Sequence, residues 1–275
     1  MNTPTTSTIT FIGGGNMASA IVGGLLRQGH TAESLQIVEP FDEQRARLAT
    51  QFPGVPVVPD SSGLRKTSDL VVWAVKPQTF KEAALAAQRF LPAALHLSVA
   101  AGITSDSIAT WLQTQRIVRA MPNTPALVGL GMTGLFARDG ADTADRALVE
   151  TVVRTTGEFV WVATEEQLDA VTALSGSGPA YVFYFLEAMR DAGARMGLPP
   201  DVAYQLAVGT FVGAATLAQR SEDPPQVLRE RVTSKGGTTY AALTSMNEAS
   251  VKVKFEEALF AAQKRAQELG REFGG

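Results

Sequence analysis

The fold is decided by the segment Ile9–Ala20, which reads ITFIGGGNMASA. A short apolar run, Ile9–Ile12, breaks into three glycines and continues with a helix-like pattern. Gly13, Gly15 and Ala18 fit G-x-G-x-x-A, which is typical of the strand-to-helix turn that binds a dinucleotide. Gly13 permits the tight turn, Gly15 lets the backbone approach a pyrophosphate, and the small Ala18 lets the helix pack closely on the strand.

The start of the helix after the glycines is a predicted phosphate site. The N–H groups near Asn16 and Met17 have no partners within the helix and lie at the positive end of its dipole. Glu39 follows the next apolar run, Leu35–Val38, close to the place where such folds carry a ribose-binding acid. A strand, a helix and an acid in this order favour a cofactor site over the alternative, a glycine-rich turn with a purely structural role.

Composition restricts the classes of protein to consider. The chain has 275 residues, of which 45% are hydrophobic and 19% charged, which is typical of one large or two ordinary globular domains. A net charge of −3 gives no reason to expect nucleic acid or an anionic membrane as partner. The absence of cysteine excludes disulfides, thiolate metal sites and a catalytic thiol, and it is consistent with a cytoplasmic protein.

The hydropathy of the sequence indicates neither a membrane-spanning segment nor an export signal. The longest uncharged apolar tract, residues 203–218, is short for a membrane span. The first residues, MNTPTTST, lack the basic and apolar runs of a signal peptide, so we expect residues 1–8 to form a loose tail.

Strand and helix patterns alternate over residues 1–164. Strands are predicted over residues 9–12, 35–38, 55–58, 70–75, 95–100, 116–120, 132–137 and 159–162. Helices are predicted over residues 16–28, 42–51, 79–90, 105–112 and 143–155. This order predicts an α/β domain with a doubly wound, mostly parallel sheet, in which ligands bind beyond the carboxyl ends of the strands.

Three turns at strand ends are expected to open on the same crevice as the glycines. They are residues 75–78, 98–102 and 120–125. The last contains Met121-Pro-Asn-Thr-Pro125, in which two prolines exclude helix. It is either a rigid loop alone or a rigid loop that places Asn123 beside the nicotinamide or substrate.

The pattern changes near residue 164, and residues 165–275 are predicted to form an all-helical second domain. The helices are expected over residues 165–172, 179–196, 200–219, 224–232, 238–246 and 250–269. Two stretches, residues 180–189 and 203–218, are too apolar for the surface of a monomer. We therefore expect them to form the core of a homodimer; the alternative is a hairpin buried inside the domain.

Residues 232–239, VTSKGGTT, combine two glycines, four hydroxyls and one cation just before a helix. Backbone N–H groups, hydroxyl donors and a helix N-terminus together make a cradle for a small anion. The alternative is a plain loop with a Ser or Thr capping the helix.

Few groups can carry strong acid–base chemistry. The two histidines, His30 and His96, are placed away from the crevice, and the carboxylates resemble solvated faces. The sequence contains no Ser-His-Asp arrangement and no metal cluster. Lys76 is a candidate for a proton donor or for a phosphate or ribose contact. This scarcity favours a reaction that needs little proton handling, such as reduction of a C=N bond.

Together these motifs resemble the pyrroline-5-carboxylate reductase family over nearly the whole chain. The resemblance rests on Phe11-Ile-Gly-Gly-Gly-Asn-Met-Ala18, Ala74-Val-Lys-Pro-Gln78, Arg119-Ala-Met-Pro-Asn-Thr-Pro-Ala126, Ser175-Gly-Ser-Gly-Pro-Ala-Tyr181 and Val232-Thr-Ser-Lys-Gly-Gly-Thr-Thr239. It implies a Rossmann domain followed by a helical dimerisation domain that interlocks with a second subunit. It also implies that NADPH or NADH gives hydride to the ring imine of 1-pyrroline-5-carboxylate, yielding L-proline, in homodimers that often assemble into rings.

The resemblance also implies roles for individual residues. Thr239 is expected to hydrogen-bond the ring nitrogen as the catalytic residue. The substrate-binding set is Val232, Ser234, Gly237, Thr238 and Thr239. The cofactor-binding set is Gly13, Gly15, Asn16, Met17, Glu39, Ala74, Lys76, Pro77, Ala100 and Asn123. Each subunit's cradle is expected to complete a site with its own or its partner's crevice, and no metal is expected.

The choice of cofactor stays open at this point, because Glu39 favours the free 2′-OH of NADH while the family usually prefers NADPH. Arg45 and Arg47 on the next helix are expected to offset the charge of Glu39. Two other functions also stay open. One is a hydroxyacid reductase, which would use a helical-domain lysine, whereas Lys235 lies in a loop. The other is a dinucleotide-binding redox sensor, which would not need the anion cradle.

Overall fold

The structure, a computed structural model, describes residues 7–274. Most of the predicted N-terminal tail, residues 1–6, lies outside the described residues, as does residue 275. The chain divides into two compact units. Unit 1 runs up to Ser177 and takes in the end of the chain from Ala262, and unit 2 is Gly178–Ala261.

Unit 1 contains an eight-stranded sheet in the order β3-β2-β1-β4-β5-β6-β7-β8. The strands are β1 Ile9–Ile12, β2 Leu35–Val38, β3 Val57–Val58, β4 Leu70–Trp73, β5 Leu95–Ser98, β6 Ile117–Met121, β7 Gly131–Ala137 and β8 Gly157–Trp161. The helices are α1 Asn16–Arg27, α2 Asp42–Gln51, α3 Pro77–Ala87, α4 Ser105–Leu112, α5 Thr143–Val153 and α6 Gln167–Val171. The predicted doubly wound sheet is confirmed, and its one antiparallel pair is β6 with β7.

Several element boundaries differ from prediction; the strands predicted over residues 70–75 and 95–100 end at Trp73 and Ser98, and proline explains two other differences. The strand predicted over residues 55–58 covers only Val57–Val58, because Val55 N–H turns back to the Phe52 carbonyl and Pro56 has no N–H to pair. The helix predicted to begin at residue 79 begins at Pro77, whose ring fits the first helical position.

The strand register places the expected turns at one edge of the sheet. In β1, β2, β4 and β5 every residue is buried, as expected for parallel strands covered on both faces. Ile12 pairs with Trp73, Trp73 with Ser98, and Ser98 with Arg119. The carboxyl ends of β1, β4, β5 and β6 therefore lie side by side, and the strand order reverses between β1 and β4. Such a reversal point is where doubly wound sheets bind ligands.

Unit 2 is built from helices. They are α7 Gly178–Arg195, α8 Pro200–Arg220, α9 Pro225–Arg231, α10 Thr238–Glu248 and the first part of α11 Val251–Phe273, whose end belongs to unit 1. Residues 162–274 contain no strand, which confirms the helical second half. The contact-based division at Ser177 falls later than the predicted domain boundary after residue 164, which stays a prediction.

The predicted apolar helices α7 and α8 pack against each other but leave large side chains in solvent. A Cβ on Gly193 of α7 would lie 2.7 Å from the Cβ of Ala203 on α8. Phe183 is nevertheless 59% exposed and Leu206 is 56% exposed in the single chain. The alternative of a hairpin buried inside the domain is therefore wrong. No helix within residues 7–274 has the length and hydropathy needed to cross a membrane.

Candidate functional site

The glycine turn has the geometry that its sequence predicts. Gly13 has φ +94°, and a Cβ there would lie 2.7 Å from the Ala74 carbonyl oxygen at the end of β4. A Cβ on Gly15 would meet no atom within 4 Å, so the space in front of this residue is open. Gly15 occupies the N-cap position of α1 without any side-chain cap, which leaves the first N–H groups of the helix available to a phosphate.

The middle glycine has a role that sequence reasoning did not identify. A Cβ on Gly14 would lie 2.3 Å from Leu48 Cδ1 and 3.3 Å from Glu39 Oε2. Gly14 therefore permits α2 and the end of β2 to pack directly against the turn. The available signal was the glycine at the middle position, because the fingerprint requires glycine only at Gly13 and Gly15.

Glu39 lies against this turn and is 6% exposed. Its Oε2 accepts the Gly14 N–H at 3.0 Å, and its Oε1 accepts the Phe41 N–H at 3.0 Å. The prediction that the carboxylates on helices form solvated faces is wrong for Asp145 of α5. Asp145 is buried and pairs with Arg116 at 2.6 Å, because a buried carboxylate needs a charged or hydrogen-bonded partner.

The turns after β4 and β5 supply four more predicted cofactor residues. Lys76 precedes α3, is exposed, and forms no ion pair with any residue from 7 to 274. Pro77 begins α3, and Ala74 lies half-buried beside Gly13. Ala100 is buried in the turn after β5. Lys76 is thus available to an anionic ligand at the carboxyl edge of the sheet.

The Asn123 side chain is fully engaged within unit 1. Its Oδ1 accepts the Met132 N–H at 2.9 Å, while its Nδ2 donates to the Ser175 carbonyl at 3.3 Å and to Ser175 Oγ at 3.2 Å. Asn123 therefore ties its proline-flanked loop to β7 and to the π-helical turn Thr172–Gly176. These contacts account for a rigid loop. That Asn123 lies beside the nicotinamide stays a prediction.

A buried ion pair links β6 to Glu165, which also bonds the start of α4, and the sequence analysis did not predict it. Arg119, 11% exposed at its side chain, donates to Glu165 Oε1 at 2.7 Å. The backbone N–H of Ser105, at the start of α4, donates to the same carboxylate oxygen at 2.6 Å. The signal was an arginine inside the otherwise uncharged strand β6, since a charge within a sheet requires a partner.

Asp169 on α6 belongs to the same region of charge. Burial raises the pKa of the Asp169 carboxyl, Arg119 lowers it, and the like charges of Glu165 and Glu166 raise it. The net effect is a raised pKa, because desolvation and the two carboxylates outweigh the single cation.

The predicted anion cradle forms a compact turn in unit 2. Gly236 has φ +74°, the Gly237 N–H donates to the Ser234 carbonyl at 3.0 Å, and a Cβ on Gly237 would lie 2.5 Å from Ser234 Oγ. Gly237 is the N-cap of α10 and supplies no side-chain cap, so the alternative of a Ser- or Thr-capped helix is wrong. The Thr233 hydroxyl donates to the Arg229 carbonyl at 2.6 Å, whereas the hydroxyls of Ser234, Thr238 and Thr239 and the first N–H groups of α10 remain available to an anion.

The remaining cradle residues differ in exposure. Val232, Ser234 and Thr238 are exposed, whereas Thr239 is half-buried at the start of α10. Lys235 is exposed and forms no ion pair with the residues that the structure describes. All predicted substrate residues belong to unit 2, and all predicted cofactor residues belong to unit 1.

Comparison with known proteins identifies the family. Residues 165–269 match the family model for pyrroline-5-carboxylate reductase dimerisation, and residues 8–102 match the model for coenzyme F420-dependent NADP oxidoreductases. The chain is 42% identical to pyrroline-5-carboxylate reductase of Pseudomonas aeruginosa over 276 aligned positions, with 100% of both chains covered. The chain belongs to the pyrroline-5-carboxylate reductase family. The predicted family resemblance is thereby confirmed.

Solved structures of the family agree with this fold. A pyrroline-5-carboxylate reductase from Coxiella burnetii superposes with a TM-score of 0.89 at 39% identity, covering 96% of this chain and 98% of the other. The NADP-bound enzyme of Plasmodium falciparum superposes with a TM-score of 0.85 at 27% identity, with the same coverages. As a pyrroline-5-carboxylate reductase family member, the chain is an oxidoreductase that uses NAD(P)H, and its open, uncapped glycine turn fits that cofactor.

Proposed function

We propose that this chain reduces the C=N bond of 1-pyrroline-5-carboxylate to give L-proline, the last step of proline biosynthesis. The observation that carries the proposal is the uncapped, hydroxyl-rich turn of residues 232–239, because a carboxylate-bearing substrate needs such a set of donors. Family membership supplies the reaction type, and the glycine turn of unit 1 supplies the cofactor site.

Each set of residues has a distinct task in this proposal. The N–H groups of Asn16 and Met17, beyond Gly13 and Gly15, hold the pyrophosphate of NAD(P)H. The chemistry that NAD(P)H supplies when bound is a hydride for the imine carbon. Residues lining the rest of the cofactor are Glu39, Ala74, Lys76, Pro77, Ala100 and Asn123.

The cradle orients the substrate. Ser234, Gly237 and Thr238 bind the carboxylate through hydroxyl and N–H donors, and Val232 lines the same turn. The Thr239 hydroxyl hydrogen-bonds the ring nitrogen, which holds the C=N bond in one orientation. A protonated imine already accepts hydride readily, so no strong acid is required of the chain.

Replacement of Thr239 by alanine is expected to lower kcat more than it raises KM. Loss of a hydrogen bond that orients the imine costs about 1–2 kcal/mol, which corresponds to roughly a tenfold decrease in rate. Steady-state kinetics with 1-pyrroline-5-carboxylate measure this, and Thr239→Ser should recover most of the rate because it keeps the hydroxyl.

Two further variants make the result specific to Thr239. Ser234→Ala should mainly raise KM, because Ser234 binds the carboxylate in both ground and transition states. Thr244→Ala is the matched control, since this exposed threonine lies further along α10 and donates only to the Tyr240 carbonyl. An unchanged kcat with a raised KM in Thr239→Ala would mark Thr239 as a simple binding residue.

We also propose a homodimer that assembles further into a ring of dimers. In support, the helical half matches a dimerisation domain, and α7 and α8 expose Phe183, Tyr184, Leu206, Val212 and Leu217. Gly209 and Gly213 have open space in front of them, which permits close approach of a partner's helix. Sedimentation at micromolar concentration should give at least twice the chain mass, and a monomer there would contradict the proposal.

We further propose a cytoplasmic location, without a nucleic acid or a membrane as partner. Support comes from the absence of cysteine and from a net charge of −3, which offers no attraction to polyanions. Fractionation of the source cells, followed by detection of the chain, tests the location directly.

A further inference from the structure

The residue that faces the ribose end of a dinucleotide in this fold is held rigidly. Glu39 follows β2, and its two carboxylate oxygens accept one backbone N–H each, from Gly14 and Phe41. A carboxylate oxygen has room for more than one donor. The group is therefore fixed in place by the glycine turn and can still accept a hydrogen bond from a ligand.

The cations near Glu39 are already engaged. Arg45 donates to the carbonyls of Glu39 at 3.0 Å and Pro40 at 2.7 Å, and it forms an ion pair with Asp42. Its guanidinium thus holds the loop after β2 in shape. Arg45 makes no direct contact with the Glu39 carboxylate, since its partners are Asp42 and two carbonyls, and the offset of the Glu39 charge stays a prediction.

The remaining charges around this loop are mostly negative. Arg47 is largely exposed and lies 4.0 Å from Glu43, its partner one helical turn away. Residues 39–47 contain three carboxylates and two guanidinium groups. Asp60 follows β3, whose Val58 pairs with Val38 of β2, and it adds a further negative charge at the same edge. A phosphate dianion at the ribose would therefore meet the fixed Glu39 carboxylate, while Arg45 is held by the loop and Arg47 extends into solvent.

We infer that this chain binds NADH in preference to NADPH, with Glu39 as the specificity-determining residue. The free 2′-OH of NADH can donate to the fixed carboxylate, whereas the 2′-phosphate of NADPH would be repelled by it. The inference rests on the proposed cofactor site of unit 1. It separates this chain from the NADP-bound Plasmodium falciparum relative, which is 27% identical.

The test is the affinity of the purified chain for NADH and for NADPH, measured by isothermal titration calorimetry without the imine substrate. The wild-type chain should bind NADH tighter by roughly tenfold or more, as expected for one charged hydrogen bond gained or lost. Glu39→Ser should weaken NADH binding and strengthen NADPH binding, shifting the ratio of the two Kd values by roughly tenfold or more.

The ratio of the Kd values for NADH and NADPH distinguishes an effect on cofactor selectivity from a loss of the support that Glu39 gives to the glycine turn. Loss of that support weakens both nucleotides equally and leaves the ratio unchanged, and this outcome would overturn the inference. Glu39→Gln keeps the size and one acceptor oxygen, so it serves the same test if Glu39→Ser does not fold. Glu43→Ser, which removes an exposed carboxylate of α2, is the matched control and should leave the ratio as it was.

Nucleotide affinity and turnover distinguish this inference from the proposed function. Selective NADH binding without reduction of 1-pyrroline-5-carboxylate would support the inference and contradict the proposed reaction. Turnover with a wild-type preference for NADPH would support the reaction and contradict the inference. Binding of neither nucleotide would contradict both.

Discussion

Replacement of Glu165 by alanine is expected to lower the free energy of unfolding by about 3 kcal/mol, a value at the lower end for breaking a buried ion pair. The lower end applies because the Glu165 side chain is 20% exposed. The variant leaves the Arg119 guanidinium without its carboxylate and the Ser105 N–H without its acceptor. Urea denaturation of the wild-type and variant chains measures the difference.

Two comparisons isolate the cause of this loss. Glu166→Ala removes the neighbouring exposed carboxylate and should change the free energy of unfolding by no more than about 0.5 kcal/mol. The double variant Arg119→Met with Glu165→Leu should recover the part of the loss that comes from the unpaired guanidinium, because an apolar pair often replaces a buried ion pair without cost, but not the part from the Ser105 N–H. A Glu165→Ala variant as stable as the wild type would show that the pair contributes nothing.

Acidification is expected to destabilise the chain through His96. His96 is buried in β5, and its Nδ1 accepts the Trp73 Nε1–H at 3.0 Å, which requires that nitrogen to carry no proton. Burial and, to a smaller extent, the charge of Arg116 together lower the pKa of His96 from 6.5 to about 4. The folded chain therefore keeps this imidazole neutral where the unfolded chain protonates it.

The direction of the pH effect follows from that difference. The pKa of His96 is lower in the folded chain than in the unfolded chain. The stability that neutral His96 contributes is therefore fully present above the unfolded-state pKa, and it is lost as the pH falls toward the folded-state pKa. The loss between about pH 8 and about pH 4 is about 3 kcal/mol, at 1.36 kcal/mol per pKa unit.

The measurement is the free energy of unfolding against pH for the wild-type chain and for His96→Gln, whose amide oxygen can still accept from Trp73. The difference between the two curves should shrink as pH falls, because the glutamine does not titrate. His30→Gln is the matched control, since His30 is only half-buried and should leave most of the pH dependence in place. Parallel wild-type and His96→Gln curves would contradict the role of His96.

Local pattern was enough to predict most of the fold. The apolar run of β4 is continuous and those of β1, β2 and β5 are nearly so, because both faces of these strands are covered, and α4 begins and ends at the predicted residues. The glycine turn was also predictable, since Gly13 answers to the close approach of Ala74 after β4 and Gly15 leaves the space in front of the helix open. The exposed apolar faces of α7 and α8 followed from composition alone.

Partners distant in sequence were not predictable. Arg119 and Glu165 are 46 positions apart, and Trp73 and His96 are 23 positions apart, so neither pair has a local signature. Glu39 was predicted as a ribose ligand, but its bonds to the turn depend on the approach of α2 and β2 to Gly14. The burial of a charge is a property of the folded chain, which explains why Asp145 was taken for part of a solvated face.

The most direct test of the proposed reaction is the loss of reduced-nicotinamide absorbance when the purified chain meets 1-pyrroline-5-carboxylate, with NADH and NADPH assayed side by side. We expect substrate-dependent oxidation, one L-proline formed for each nicotinamide oxidised, and the faster rate with NADH at low cofactor concentration. Absence of oxidation with both cofactors, on a chain shown by calorimetry to bind one of them, would contradict the proposed reaction.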